Sequence, residues 1–155
     1  MGIKMKKFKS KKRVFEYITK KFKKDSKLIL IRGSTANGSI KQFSDIDAET
    51  YGKLKKPYYE IIFVKNKPVL ITVYFYKYQE GKRIKSPKNV KIVYGKYNNI
   101  IEKRFNERSH FAKDTYTAEQ KITRECQLAI DFMFKYLRSK DKKALESVQK
   151  KIKWQ

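Results

Sequence analysis

Asp45 and Asp47, in the stretch SDID at residues 44–47, are two carboxylates two positions apart in a chain that carries 40 Lys and Arg against 15 Asp and Glu. Oxygen donors in such a pair suit a hard divalent cation, because Mg²⁺ is usually held by one or two carboxylates together with substrate phosphates. Upstream, the apolar run LILIRGS ends in Gly33 and Ser34, which can turn backbone N–H groups and a hydroxyl toward a phosphate. The residue types therefore predict one cleft that gathers a metal ion and a triphosphate. Such a cleft would also explain why the charge inverts between Gly33 and Gly52, where Lys41 stands against Asp45, Asp47 and Glu49.

Elements must hold these groups in register. In SDIDAETYG the polar Asp45, Asp47 and Glu49 alternate with Ile46, Ala48 and Thr50, the period of a strand, so both aspartates share one face while Ile46 turns into the core. KLILIRG reads as a short buried strand before it. Val14, Phe15, Ile18 and Phe22 fall at helical spacing and predict an amphipathic helix over about residues 11–24. YYEIIFV and KPVLITVYFYKY flank Lys65–Asn66 as a hairpin, and NVKIVYG is a fifth strand. Beyond residue 96 the pattern turns helical. YNNIIEKRFNERSHF is moderately so, and Ala118, Ile122, Cys126, Ala129, Ile130, Met133, Phe134 and Leu137 recur at steps of three and four. A last basic helix is expected over about 141–152. The fold class expected is α+β: a mixed sheet over residues 1–95, with a helical C-terminal region, 96–155, packed on it as one compact unit.

Composition bounds the rest. A chain of 155 residues, 40% hydrophobic, fills one domain and not comfortably two. It has no apolar run long enough to span a bilayer and no apolar segment after its Lys-rich start, which predicts a cytoplasmic protein without a membrane partner. Cys126, the one cysteine, excludes an internal disulfide and a multi-cysteine metal site, and its place on the apolar stripe predicts burial. The net charge of +25 concentrates polyanions. It is heaviest at the ends, with 11 Lys or Arg and only Glu16 in residues 1–24, and eight with Asp141 and Glu146 in residues 135–155. Lys-rich usage alone is also an ordinary feature of proteins from hot habitats, so charge by itself identifies no partner.

RGS at 32–34, ten residues, then DID at 45–47 resembles the signature of the DNA polymerase β-like nucleotidyltransferase superfamily. The longer GSTANGSIKQFSDID, with Gly38 as its second glycine, is similar to the minimal nucleotidyltransferases of prokaryotes. The specific likeness covers about 15 residues, and the hairpin and C-terminal helices fit the family's layout more loosely. The resemblance implies a nucleotidyltransferase-like αβ core. It implies that Asp45 and Asp47 are catalytic and hold Mg²⁺ (or Mn²⁺), that Gly33 and Ser34 bind the phosphates of an NTP, and that a nucleoside monophosphate passes to a hydroxyl with pyrophosphate leaving. The family's third carboxylate sits on a later strand. Here VLITVYFYKY holds Thr72, Tyr74 and Tyr76 at those positions, which leaves Glu60 as the first candidate and Glu80 as the second. Against that reading, Glu60 would simply be a strand residue paired with a lysine.

Other residues carry less. Arg104 and His110 stand at the spacing of the motif of helical ribonucleases that accompany minimal nucleotidyltransferases, but Phe105 follows the arginine where a polar residue is usual, so a capping or surface role competes. Tyr58, Tyr59, Tyr74, Tyr76 and Tyr78 could stack bases or simply pack the hairpin. Trp154 is an apolar anchor or a loose end. The basic termini favour RNA or a protein partner over a small acceptor such as an aminoglycoside, which calls for an acidic pocket. Three classes stand: a Mg²⁺-dependent nucleotidyltransferase, a nucleic-acid-binding protein on a catalytically degenerate scaffold of that kind, and the regulator of a helical ribonuclease toxin.

Overall fold

A computed structural model describes residues 4–78, 90–96 and 117–153. The chain opens with β1 (Lys7–Phe8) and α1 (Lys11–Phe22), followed by one 3₁₀ turn, Lys23–Asp25. Next come β2 (Ser26–Arg32), the single-turn α2 (Ser34–Asn37), β3 (Asp45–Gly52), β4 (Tyr58–Val64), β5 (Lys67–Lys77) and β6 (Val90–Gly95). Two helices end it, α3 (Ala118–Ser139) and α4 (Lys142–Lys153). The strands form one curled mixed sheet in the order β1-β4-β5-β3-β2-β6, with β1 parallel to β4, β5 parallel to β3, and the other neighbours antiparallel. The α+β class is as expected. The two-residue β1 was not legible in the sequence, because so short an edge strand has no periodicity to read.

The sheet's two faces have separate jobs. On one, α1 lays Val14, Phe15 and Ile18 against Ile29, Ile31, Ile46, Ala48, Ile62, Ile71 and Val73, all 5% exposed or less. Ser10 caps this helix, its Oγ accepting from the Arg13 N–H at 3.3 Å, which satisfies one of the orphan donors of the first turn. The opposite face carries a second apolar cluster, Leu28, Leu30, Tyr51 and Tyr76. Asp45, Asp47 and Glu49 point to that second face, since they alternate with the buried Ile46, Ala48 and Thr50.

The hairpin between β4 and β5 turns on Lys65 and Asn66 at φ 48° and 61°, the two left-handed residues of a two-residue loop that suits strand twist. Near its C-terminal end, helix α3 packs on the loop before β3, where Phe134 meets the Phe43 ring edge-on at 5.7 Å. Its N-terminal half is more open. Ile122 is 49% exposed and Cys126 is exposed, so the expected burial of Cys126 is not observed. The 3.6-residue stripe was read correctly as helix, but periodicity cannot say how far along its length a stripe is covered among the described residues. His110, Arg104, Glu80 and Trp154 lie outside those residues, as does the helix expected from residue 97.

Candidate functional site

Strand β2 ends at Arg32, and Gly33 follows at φ 76° with ψ −161°, a conformation that strains any residue with a Cβ. This reverses the chain into α2, whose end is closed by the Gly38 N–H donating to the Ser34 carbonyl at 2.9 Å. A Cβ on Gly38 would lie 2.5 Å from that oxygen, so the return requires glycine. The Thr35 hydroxyl, in the same turn, is buried without a hydrogen-bond partner. The loop 39–44 is then pinned beside β5: the Phe43 N–H donates to the Pro68 carbonyl at 2.9 Å, and the Leu70 N–H to the Ser44 carbonyl at 3.0 Å. Ser44 Oγ accepts from the Lys41 N–H at 2.9 Å. These bonds set where β3 begins, and its first residue is Asp45.

Register places the acids. Asp45 lies opposite Leu70, and Asp47 lies between Arg32 on β2 and Thr72 on β5. Thr72 thus occupies the neighbouring-strand position where the family's pattern led us to expect an acid. Glu60 is not brought to the aspartates: it pairs with Ile71, whose other neighbour is Ile46, so its side chain belongs to the face under α1. There its carboxylate accepts from Lys6 Nζ at 2.8 Å and from the Tyr17 and Tyr58 hydroxyls at 2.6 and 2.9 Å. Despite its partial burial, those donors hold its carboxyl below the usual range. The two-residue turn at Lys65–Asn66 sets this pairing, Val64 opposite Lys67 and so Glu60 opposite Ile71, which puts Glu60 on the face of Ile71 and not on that of Thr72.

The acid that does reach the pair comes from α3. Burial first, then the charges of Asp45, Asp131 and Glu49, push the Asp47 carboxyl up to about 7, with Arg138 opposing. Asp131 is raised too, by burial and then by Asp45. Arg138, two helical turns beyond Asp131, answers this charge: its Nη1 stands 3.4 Å from Asp45 Oδ1 and donates to the Phe43 carbonyl at 2.9 Å. The sequence reading missed Asp131; the one local signal that could have drawn attention to it is an acid and an arginine seven apart on the side of α3 that buries Phe134. Glu49 is different. It is 4% exposed, accepts from the Tyr51 hydroxyl at 2.8 Å and pairs with Arg32 Nε at 3.1 Å, the bonding of a satisfied core carboxylate.

Beside the aspartates, a cavity of about 640 Å³ is lined by Ser34, Ser39 and Ser44 from the turn and loop, and by Lys41, Arg138 and Lys140. Its size is that of a small-ligand site, and its hydroxyls and cations suit an anion. Lys140 ends α3 in the left-handed conformation, φ 56°, with its N–H on the Tyr136 carbonyl at 2.7 Å, so the same helix end delivers both cations.

Among the described residues, no three His, Cys, Asp or Glu side chains stand close enough to enclose a metal ion by themselves. The donor set nevertheless fits Mg²⁺ as it is bound with nucleotides, through one or two carboxylates with phosphates and water supplying the rest. Crowded carboxylates that hold Asp47 at about 7 are the charge that a divalent cation would relieve. No family model matches this chain, and no curated protein matches it.

Proposed function

We propose that this protein is a Mg²⁺-dependent nucleotidyltransferase that moves a nucleoside monophosphate from an NTP to a hydroxyl of an RNA or protein acceptor. The observation that carries the reading is the junction at Arg138, where a cavity of serines and cations abuts the paired aspartates. An anion pocket and an acid pair are opposite requirements, and a triphosphate with its metal is a ligand that needs both.

In this reading Lys41, Arg138 and Lys140 neutralise the triphosphate, and the Ser34 hydroxyl with the turn after Gly33 orients it. Asp45 and Asp47 would hold the ion, which would supply Lewis-acid stabilisation of charge at the α-phosphate and ease deprotonation of an acceptor hydroxyl. Asp131 adds a third negative charge near the pair from α3 without joining it as an enclosing ligand. The acceptor oxygen forms a bond to the α-phosphorus, the bond from that phosphorus to its bridging oxygen breaks, pyrophosphate leaves, and the hydroxyl proton passes to a carboxylate or to water. Arg138 must exchange its contact with Asp45 for one with phosphate as the ligand enters, so it serves as a resident counter-ion of the acid pair.

A second reading is favoured by Thr72: a scaffold of this kind that binds nucleotide or nucleic acid without turnover. The test is pyrophosphate release from each NTP with Mg²⁺ or Mn²⁺, with and without bulk RNA, in the wild type and in Asp45→Asn. Release that needs metal and vanishes in the variant supports transfer. Nucleotide binding with no release under any condition supports the degenerate scaffold.

A further inference from the structure

A second concave surface lies on the other side of the molecule from the aspartates. Between α1 and β6 runs a groove of about 660 Å³ whose walls carry Lys12 and Lys20 from the helix, Lys23 from the 3₁₀ turn that follows it and Lys91 from the strand, over a floor that includes Phe15 and Val93. Its acid, Glu16, is already engaged by Arg13 at 3.0 Å. Lys11 lines the same groove and donates through Nζ to the Gly38 carbonyl at 2.6 Å, and Gly38 also lines the cavity beside the aspartates. One hydrogen bond, from Lys11 to Gly38, therefore links the basic groove to the proposed triphosphate pocket.

We infer that this groove seats the backbone of a single-stranded nucleic acid whose end reaches the Gly38 junction; as an acceptor site this rests on the transferase reading. Five lysines along one groove match a chain of phosphates: three lie along α1, one in the turn after it and one across on β6, where a single small anion would need them converged. Phe15, Ile92 and Val93 give the groove an apolar lining, with Ile92 42% exposed, against which unpaired bases can pack and the inward-turned bases of a duplex cannot. An acidic polypeptide would answer the lysines too, and competition by polyglutamate separates the two.

The experiment must separate this groove from the general field of a +25 chain. Binding of a fluorescein-labelled oligo-uridylate of about 12 nucleotides, chosen within the span of known single-strand sites, is followed by anisotropy across a salt series, without NTP. The variants are Lys12→Gln/Lys20→Gln/Lys23→Gln and, with the same loss of charge on α4, Lys142→Gln/Lys143→Gln/Lys150→Gln. Single-strand binding loses roughly 0.7 in the slope of log K against log salt for each phosphate contact, so the groove variant should flatten the slope by about 2 and weaken binding by about tenfold or more. The α4 variant should stay within about threefold if the groove is the site. Equal losses in both variants, or displacement of the oligonucleotide by polyglutamate at equal charge, would overturn the assignment. Oligo-thymidylate run in parallel tells whether the sugar matters, and binding of either strand through the groove upholds it.

The two readings fail separately. Groove-dependent binding that persists in Asp45→Asn/Asp47→Asn, in a protein that releases no pyrophosphate, would keep the groove and remove the transferase. Oligonucleotide-stimulated release that is unchanged in the groove variant would keep the transferase and remove the groove as its acceptor site.

Discussion

At the scale of single residues, the site stores unfavourable charge. Asp47 is pushed up to about 7 by burial and by its acidic neighbours, whereas in the unfolded chain it would ionise near 4. A raised acid stabilises the fold below its unfolded pKa, and that contribution disappears as pH rises through the folded value. Without divalent metal, Asp47→Asn is therefore expected to raise the melting temperature at pH 8, and the gain should shrink as the pH is lowered toward 5. A melting temperature for Asp47→Asn below that of the wild type at pH 8 would show that the carboxylate is stabilised by something other than a ligand. Glu60 has the opposite sign. Its carboxyl sits below the usual range through Lys6, Tyr17 and Tyr58, so its contribution is present above the unfolded value and lost as pH falls through the folded one. Glu60→Gln should cost about 1–2 kcal/mol at pH 7, the cost expected for weakening charged hydrogen bonds. The difference from wild type should close below about pH 4, near the ordinary carboxylate range, and any pyrophosphate release per folded molecule should be unchanged.

At the scale of elements, the pair of aspartates depends on β3, and the cations and third acid depend on how α3 docks. Phe134, 7% exposed, and Arg138 are the fasteners: one stacks edge-on against Phe43 and the other bonds the Phe43 carbonyl. Truncating a buried aromatic costs about 3–5 kcal/mol where the surroundings do not collapse, but here the cost should fall on docking rather than on the sheet. Phe134→Ala is expected to lower amide protection across α3 and to weaken nucleotide binding, while amides of β2 and β3 exchange as before. Loss of protection in all three elements would mean that helix and sheet fold as one cooperative unit. The same division explains what the sequence could tell. The strand carrying Asp45 and Asp47 was legible because alternation with period two encodes both its conformation and its inward face. So were α1, the Lys65–Asn66 turn and the two C-terminal helices. The partner of the aspartates was not, because Asp131 lies 84 positions beyond Asp47 in the chain and only tertiary docking brings it near. Glu60 looked eligible for a different reason: its strand was read correctly, but YYEIIFV lacks clean alternation, and its face follows only when the pairing is counted back from the Lys65–Asn66 turn to Glu60 opposite Ile71.

At the scale of the whole molecule, a net charge of +25 makes any polyanion a stabiliser, since neutralising like charges relieves the self-repulsion of the compact state. A rise in melting temperature with ATP alone therefore says nothing about the proposed site. The discriminating variable is the metal. In the proposed site the acid pair repels a free triphosphate and attracts one that carries Mg²⁺, whereas a diffuse field of lysines prefers the triphosphate with its full negative charge. Specific binding at a hundred times the dissociation constant stabilises by about 2.7 kcal/mol. For a chain of this size that is a shift of roughly 5–10 °C. The preferred NTP with Mg²⁺ should produce that shift in the wild type and only the smaller shift caused by the general field in Asp45→Asn/Asp47→Asn. Inorganic triphosphate without metal should shift both proteins alike. If Mg²⁺ instead reduces the effect of NTP in both, by screening its charge, the ligand is held by the lysines alone and the aspartates take no part in binding it.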